Sequence, residues 1–209
     1  MRGVHVLPWR EVAGLIEGPD TTTIERIEDG LELDLVTHDA AKFMRLMLRR
    51  NGYVLEQLHS PLVVVTTPEH EELKELGRQC VTRHHGHHYR GFFETQWGLL
   101  AKENPPRVKP LLYAYRVLLT GIHLLRSGEI EANLRHLLAL YPQVGVEDLI
   151  ARKLAGAEQG VLQPGELERH EGACARLLDQ LAAAGATSTL PELPTARDGL
   201  HDLLLRLRA

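Results

Sequence analysis

The distribution of apolar positions splits this chain into a short alternating part and a long helical part. Gly3-Val4-His5-Val6-Leu7, ending at Pro8, reads as an extended segment, and Thr21 to Glu28 is polar and partly β-branched. Asp29-Gly30 then supplies a turn into Leu31-Glu32-Leu33-Asp34-Leu35-Val36, so a hairpin is expected. In that last segment the leucines fall on one face and Glu32 and Asp34 on the other, because successive strand side chains point to opposite sides. A short helix is expected over Glu11 to Glu17, followed by a Gly18-Pro19-Asp20 turn.

Beyond Val36 the repeat changes from two to three and four. Phe43, Met44, Met47 and Leu48 make an amphipathic helix that Thr37 or Asp39 can cap and that Asn51-Gly52 is expected to stop. Tyr53 to Leu58 is read as helix, Leu62 to Thr66 as extended, and Pro68 to Arg83 as a helix opened by its proline. Gly86 is expected to interrupt a histidine-rich join before helices at Tyr89 to Lys102 and Lys109 to Arg126. The second is strongly apolar and is the expected central helix. Shorter helices follow at Ile130 to Leu140, Val146 to Leu154, Gly165 to Ala184 and Arg197 to Arg208, with Pro191 and Pro194 in a linker before the last. The fold class is therefore α+β, a small N-terminal mixed sheet followed by a mainly helical portion, in segments 1–66, 67–190 and 191–209.

A length of 209 residues is enough for a substantial core. The net charge of −4 argues against a wholesale polyanion binder, but its distribution is uneven. Lys74, Arg78, Arg83, Arg90, Lys102, Arg107, Lys109 and Arg116 outnumber Glu75, Glu94 and Glu103 in the middle, whereas Glu129, Glu131, Glu147, Asp148, Glu158, Glu166, Glu168 and Glu171 turn the later part acidic. A nucleic acid would meet the first half. Cys80 and Cys174 are far apart and form no zinc pair or disulfide framework, which fits a reducing cytoplasm. No segment approaches the roughly twenty apolar residues that span a bilayer, so no membrane role is expected.

Two clusters invite chemistry. Acids on one strand face beside a helix carrying Lys42, Arg45, Arg49 and Arg50 suit phosphate handling, while the bland alternative is a solvated strand face and an ordinary surface helix. His84-His85-Gly86-His87-His88 raises a metal-binding alternative through His85 and His88, although no thiolate accompanies them. His123, His136, His170 and His201 stand singly and are read as satisfied or exposed. Ser60, Ser127, Ser188 and the cysteines lack a neighbouring base, so acyl transfer has no support.

Taken together, RGVHVLP, THDAAKFMRLMLRRNGYVLEQLHSPLVV, HHYRGF and KPLLYAYRVLLTGIHLLRSGEIEANL resemble predicted nucleotidyltransferases of the DNA polymerase beta superfamily, in the branch associated with RNA repair. The resemblance covers Met1 to about Leu140 in order. It implies Mg²⁺-dependent transfer of a nucleotidyl group from a nucleoside triphosphate to a hydroxyl, at an RNA end, with an RNA ligase as a possible partner. Such chemistry uses divalent ions held by carboxylates. Asp34 matches the family's third acid, with Glu32 as understudy. Lys42, Lys109 and Arg116 are implied phosphate contacts, and His87, His88, Tyr89 and Arg90 are implied contacts to phosphates or bases.

The chain departs from the family pattern where the chemistry is concentrated. The G-S turn and the D-x-D pair are absent, and in relatives that pair immediately precedes the segment matching Arg2 to Val6. The expectation is an internal methionine taken as the start, or a truncation, leaving the core over 1–66 incomplete and inactive unless other ligands are supplied. A non-catalytic nucleotide- or RNA-binding module is the first alternative, and a histidine-based metal-binding protein the second.

Overall fold

The computed structural model describes residues 1–16, 18–156 and 160–209. Contacts group them into two compact units, Met1–Val81 with Leu193–Ala209, and Thr82–Glu192. The expected segments differ: the helix beginning at Pro68 and the C-terminal helix both belong with the sheet.

In the first unit, strands β1 (Arg2–His5), β2 (Thr21–Glu28) and β3 (Leu31–Asp39) form a mixed sheet in the order β1-β3-β2. This is the small N-terminal sheet that the α+β reading expects. The β2-β3 hairpin closes through Asp29 and Gly30, whose φ angles of 51° and 77° lie in the left-handed region that a tight hairpin turn needs. β3 pairs with β2 antiparallel, from Glu28↔Leu31 to Thr21↔His38, and with β1 in parallel, from Arg2↔Val36 to His5↔Asp39. Apart from Asp39, no strand residue is buried, and Leu31 is exposed rather than packed. The core lies in the helices instead.

Helix α1 (Trp9–Ala13) is shorter than the expected Glu11 to Glu17, and Glu17 lies outside the described residues. Helix α2 (Ala40–Leu48) buries Ala40, Ala41, Phe43, Met44 and Met47. Its cap is Asp39, whose Oδ2 accepts the Ala41 amide at 2.9 Å, and Thr37 stays within the strand. Asn51-Gly52 was expected to stop this helix but instead starts α3 (Gly52–Leu58): Asn51 Oδ1 accepts the Tyr53 amide at 3.0 Å. Arg50, at φ 63°, makes the left-handed turn between the two helices. Leu62 to Thr66 joins no strand and is exposed. Helix α4 (Pro68–Arg78) ends five residues before the expected Arg83.

The last helix of the chain, α10 by order (Arg197–Arg208), returns to α2 and α4. The Thr195 amide donates to the Gln79 carbonyl at 3.0 Å, Arg206 pairs with Glu72, and a Cβ on Gly199 would meet Leu76 at 2.6 Å. Arg208 then reaches the Asp39 carboxylate at 2.7 Å, with the two side chains only 12% and 4% exposed.

In the second unit, α6 (Val108–Ser127) is touched by α5 (His85–Leu100), α7 (Leu134–Leu140), α8 (Val146–Ala155) and α9 (Glu166–Thr187). It is the expected central helix. Helix α5 starts before Tyr89 and carries Gly86 inside it, because there the bare backbone lets α6 approach. A Cβ on Gly86 would meet Leu125 at 3.2 Å, and one on Gly121 would meet Tyr89 and Leu181 at 2.8 and 2.9 Å. α6 and α9 are also tied by Tyr115 Oη and His170 Nδ1, 2.8 Å apart. Among the described residues no helix is long and apolar enough to cross a membrane.

Burial alone would raise the Asp39 pKa, but the Leu7 amide, Arg208 and the Ala41 amide outweigh it and hold the carboxyl below its usual range. A depressed carboxylate contributes its stability above the ordinary aspartate value of about 3.9, and loses it as pH falls through the lower folded value. Arg208→Ala, which strands a buried charge, should lower unfolding free energy at pH 7 by about 3–5 kcal/mol, read from urea midpoints. Asp39→Asn should flatten the acid limb of stability against pH.

Candidate functional site

Strand alternation and register build the acidic site. Glu32, Asp34, Val36 and His38 share one face of β3. The parallel register sets Arg2 beside Val36, and the antiparallel register sets Glu25 opposite Asp34. Arg2 reaches down its neighbour strand and forks onto Asp34, with Nη1 to Oδ1 and Nη2 to Oδ2 both 3.0 Å. The Met1 ammonium donates to the Asp34 carbonyl. Asp34 remains half exposed, and the Arg2 hydrogen bonds hold its carboxyl below the usual carboxylate range. Glu25, Arg26, Ile27, Glu32, Leu33 and Asp34 line an open depression at this end of the hairpin.

These residues do not fit Mg²⁺ as they stand. Both Asp34 oxygens are occupied by a guanidinium, whereas a hard cation needs several carboxylate oxygens directed at one point. Among the described residues no group of three or more His, Cys, Asp or Glu side chains could hold a metal ion. The histidine cluster is no exception. His85 is buried with Nδ1 turned to the Thr82 amide at 3.1 Å, while His84 and His87 stack on each other 6.1 Å apart.

Lys42 sits on α2 and is committed to the sheet. Its Nζ is 2.9 Å from Asp20 Oδ1 and 2.5 Å from Thr21 Oγ1, and Thr21 Oγ1 is 3.0 Å from His38 Nδ1. The side chain thus pins α2 to the start of β2.

The remaining candidates lie in the second unit, on α5 and α6. Tyr89 is fully buried where Gly121 admits it, so it has no surface for a base. Arg90 is exposed and paired with Glu94 at 2.8 Å, and His87 is exposed. His88 is half-buried, which lowers its pKa, and its ring lies 5.9 Å from Phe92. Phe92 meets Tyr113 edge to face at 5.5 Å, and the Arg116 guanidinium lies 4.5 Å over the Tyr113 ring. Lys109 is exposed near the start of α6. The structure therefore brings His88 and Arg116 into one line through Phe92 and Tyr113 and leaves Arg90 out of it, while the buried Tyr89 ring meets His88 edge to face at 5.3 Å.

Arg2 and Phe92 were absent from the residues expected from sequence. The Arg2 contact follows from a parallel register that no local pattern announces. Phe92 had a signal, four residues after His88 on the same helix face, but it reads equally as core.

With this geometry in view, the comparisons with known proteins place the chain. The model of the RNA repair pathway DNA polymerase beta family, RlaP, matches residues 1–206, and the chain belongs to that family. An uncharacterized protein of Methanocaldococcus jannaschii is 32% identical over 100 residues, 48% of this chain and 41% of the relative, so the match spans about two-fifths of the relative's length. No solved structure matches the chain.

The fork onto Asp34 has a direct signature. Arg2→Gln should raise the Asp34 carboxyl toward its ordinary value of about 3.9, followed by NMR titration of the side-chain carboxyl carbon. An unchanged titration would show that the guanidinium is not in contact.

Proposed function

We propose that this chain acts in RNA repair as the part of a nucleotidyltransferase that contributes Asp34, a strand-borne carboxylate, to transfer of a nucleotidyl group from a nucleoside triphosphate to the hydroxyl of an RNA end. Membership of the RNA repair pathway DNA polymerase beta family supports the class of reaction. The observation that carries the reading is the parallel β1-β3 register. With Arg2 beside Val36, the Asp34 carboxylate is half exposed on the same sheet face as Arg2, past the end of the strand pairing. Carboxylates supplied there would lie next to Asp34, with Glu32 two residues along the same face as a secondary acid. In this reading Lys42, Lys109 and Arg116, with His87, His88, Tyr89 and Arg90, belong to the phosphate- and base-handling parts of the protein, Tyr89 by supporting the helix rather than by contact.

A second reading, a nucleotide- or RNA-binding module without turnover, is favoured by the Arg2 fork, which neutralises the acid instead of leaving it open to a cation. Incorporation of labelled nucleotide at an RNA end separates the two. The 209-residue chain with Mg²⁺ should show no turnover, and a version extended upstream to include a G-S turn and a D-x-D pair should gain it. Asp34→Asn in the extended version should reduce the rate at least a hundredfold, in keeping with the loss of a charge-stabilising group at a transferring phosphoryl. Turnover that survives Asp34→Asn would overturn the reading.

A further inference from the structure

Glu25, Glu32, Asp34 and Arg2 share one face of the sheet, because the two registers put Glu25 opposite Asp34 and Arg2 beside Val36. Three acids thus face one guanidinium. Arg26 points to the opposite face and pairs with Glu28 at 2.8 Å, and Lys42 is taken by Asp20 at 2.9 Å. Neither competes with Arg2 for Asp34.

The chemistry implied by the family and the geometry of this chain disagree at that carboxylate. A hard divalent cation takes several oxygen ligands directed at one centre, so a strand carboxylate that serves one needs open oxygens. Asp34 has neither oxygen open. Arg2 Nη1 lies 3.0 Å from Oδ1 and Nη2 3.0 Å from Oδ2, a fork that a lysine could not make. The guanidinium is held in turn by its surroundings, since Nη1 also donates to the Met1 carbonyl at 2.7 Å and the Tyr53 side chain is a further partner. Arg2 is the better covered member of the pair, its side chain 35% exposed against 49% for Asp34.

Partly exposed ion pairs contribute little to stability, so what this fork decides is who occupies the carboxylate rather than how strongly the sheet holds together. It also cancels one of three neighbouring negative charges, which lowers the potential that gathers divalent ions on this face.

We propose that Arg2 is the resident cation of the acidic face and competes with a divalent ion for Asp34, so that the carboxylate is closed to metal until the guanidinium is drawn away. The proposal rests on the reading of Asp34 as the strand carboxylate of the site, and it names the residue that regulates access to it. It needs no turnover.

Mn²⁺ is the probe, added to the full chain without nucleotide or RNA and followed by NMR line broadening of the Glu25, Glu32 and Asp34 amides. In the parent, Asp34→Asn should change the Mn²⁺ affinity read there less than twofold. Arg2→Gln should raise it at least threefold, roughly the scale on which one unit charge acts on a divalent ion a few ångströms away in salt water, and adding Asp34→Asn should cancel the gain. Arg2→Lys, which keeps the charge without the fork, should gain less than Arg2→Gln. Protection of the Val36 amide, which donates to the Met1 carbonyl at 3.1 Å, checks that β1 keeps its register in each variant. The parent comparison uses no Arg2 variant, so it tests the proposal even where Arg2→Gln loosens β1. A parent whose Mn²⁺ affinity falls at least threefold with Asp34→Asn, or an Arg2→Gln protein in register with no gain, would overturn the proposal. Turnover of the extended version that depends on Asp34, together with a Mn²⁺ response indifferent to Arg2, would sink this inference and leave the catalytic reading standing. The reverse pair of results would remove the catalytic reading alone.

Discussion

The first unit depends on one buried carboxylate. Asp39 ends β3, caps α2 through the Ala41 amide, accepts the Leu7 amide at 3.1 Å beyond the end of β1, and receives Arg208 from the last helix. A lone anion at that depth would be costly, and three donors converging from separate parts of the chain make it tolerable. The same three donors fix where β1, α2 and α10 meet. The register that sets Arg2 beside Val36, and so brings its guanidinium to Asp34, is anchored at its far end by this residue.

The second unit solves a different problem, how to surround a long apolar helix. Gly86 and Gly121 remove side-chain bulk where α5 and α6 come closest, which explains why a glycine sits inside α5 instead of breaking it. Tyr115 and His170 satisfy each other between α6 and α9, so His170 serves packing, as a satisfied histidine does. His123 lies 3.3 Å from Tyr141 Oη, whereas His136, 2.9 Å from Glu131, is exposed. Against this closed background, a half-open strip of rings and cations on α6 stands out.

Membership of the RNA repair pathway DNA polymerase beta family gives the two polar surfaces a common context. One is an acidic sheet face whose central carboxylate is held low by an arginine. The other is a cationic, ring-lined helix strip. Carboxylates gather hard cations and cations gather phosphates, so the two surfaces differ in the partners they suit.

Local spacing was enough to determine much of this protein. The period-two pattern of Leu31 to Val36, the Asp29-Gly30 turn and the three-four repeats of α2 and α6 are relations between near neighbours, and near neighbours are what a sequence displays directly. That Glu32 and Asp34 share one strand face was legible for the same reason. What only the tertiary structure decided are relations across long separations. Arg2 on Asp34 depends on strand register, and Arg208 on Asp39 on the return of the last helix. The entry of Tyr89 into the core beside Gly121 depends on how closely two helices approach. Even Asn51, a helix stop by composition, became a helix start because its side chain had an amide to accept once Arg50 turned the backbone. Composition restricts which side chains can interact, but it is the packing of elements far apart in the chain that selects the partners.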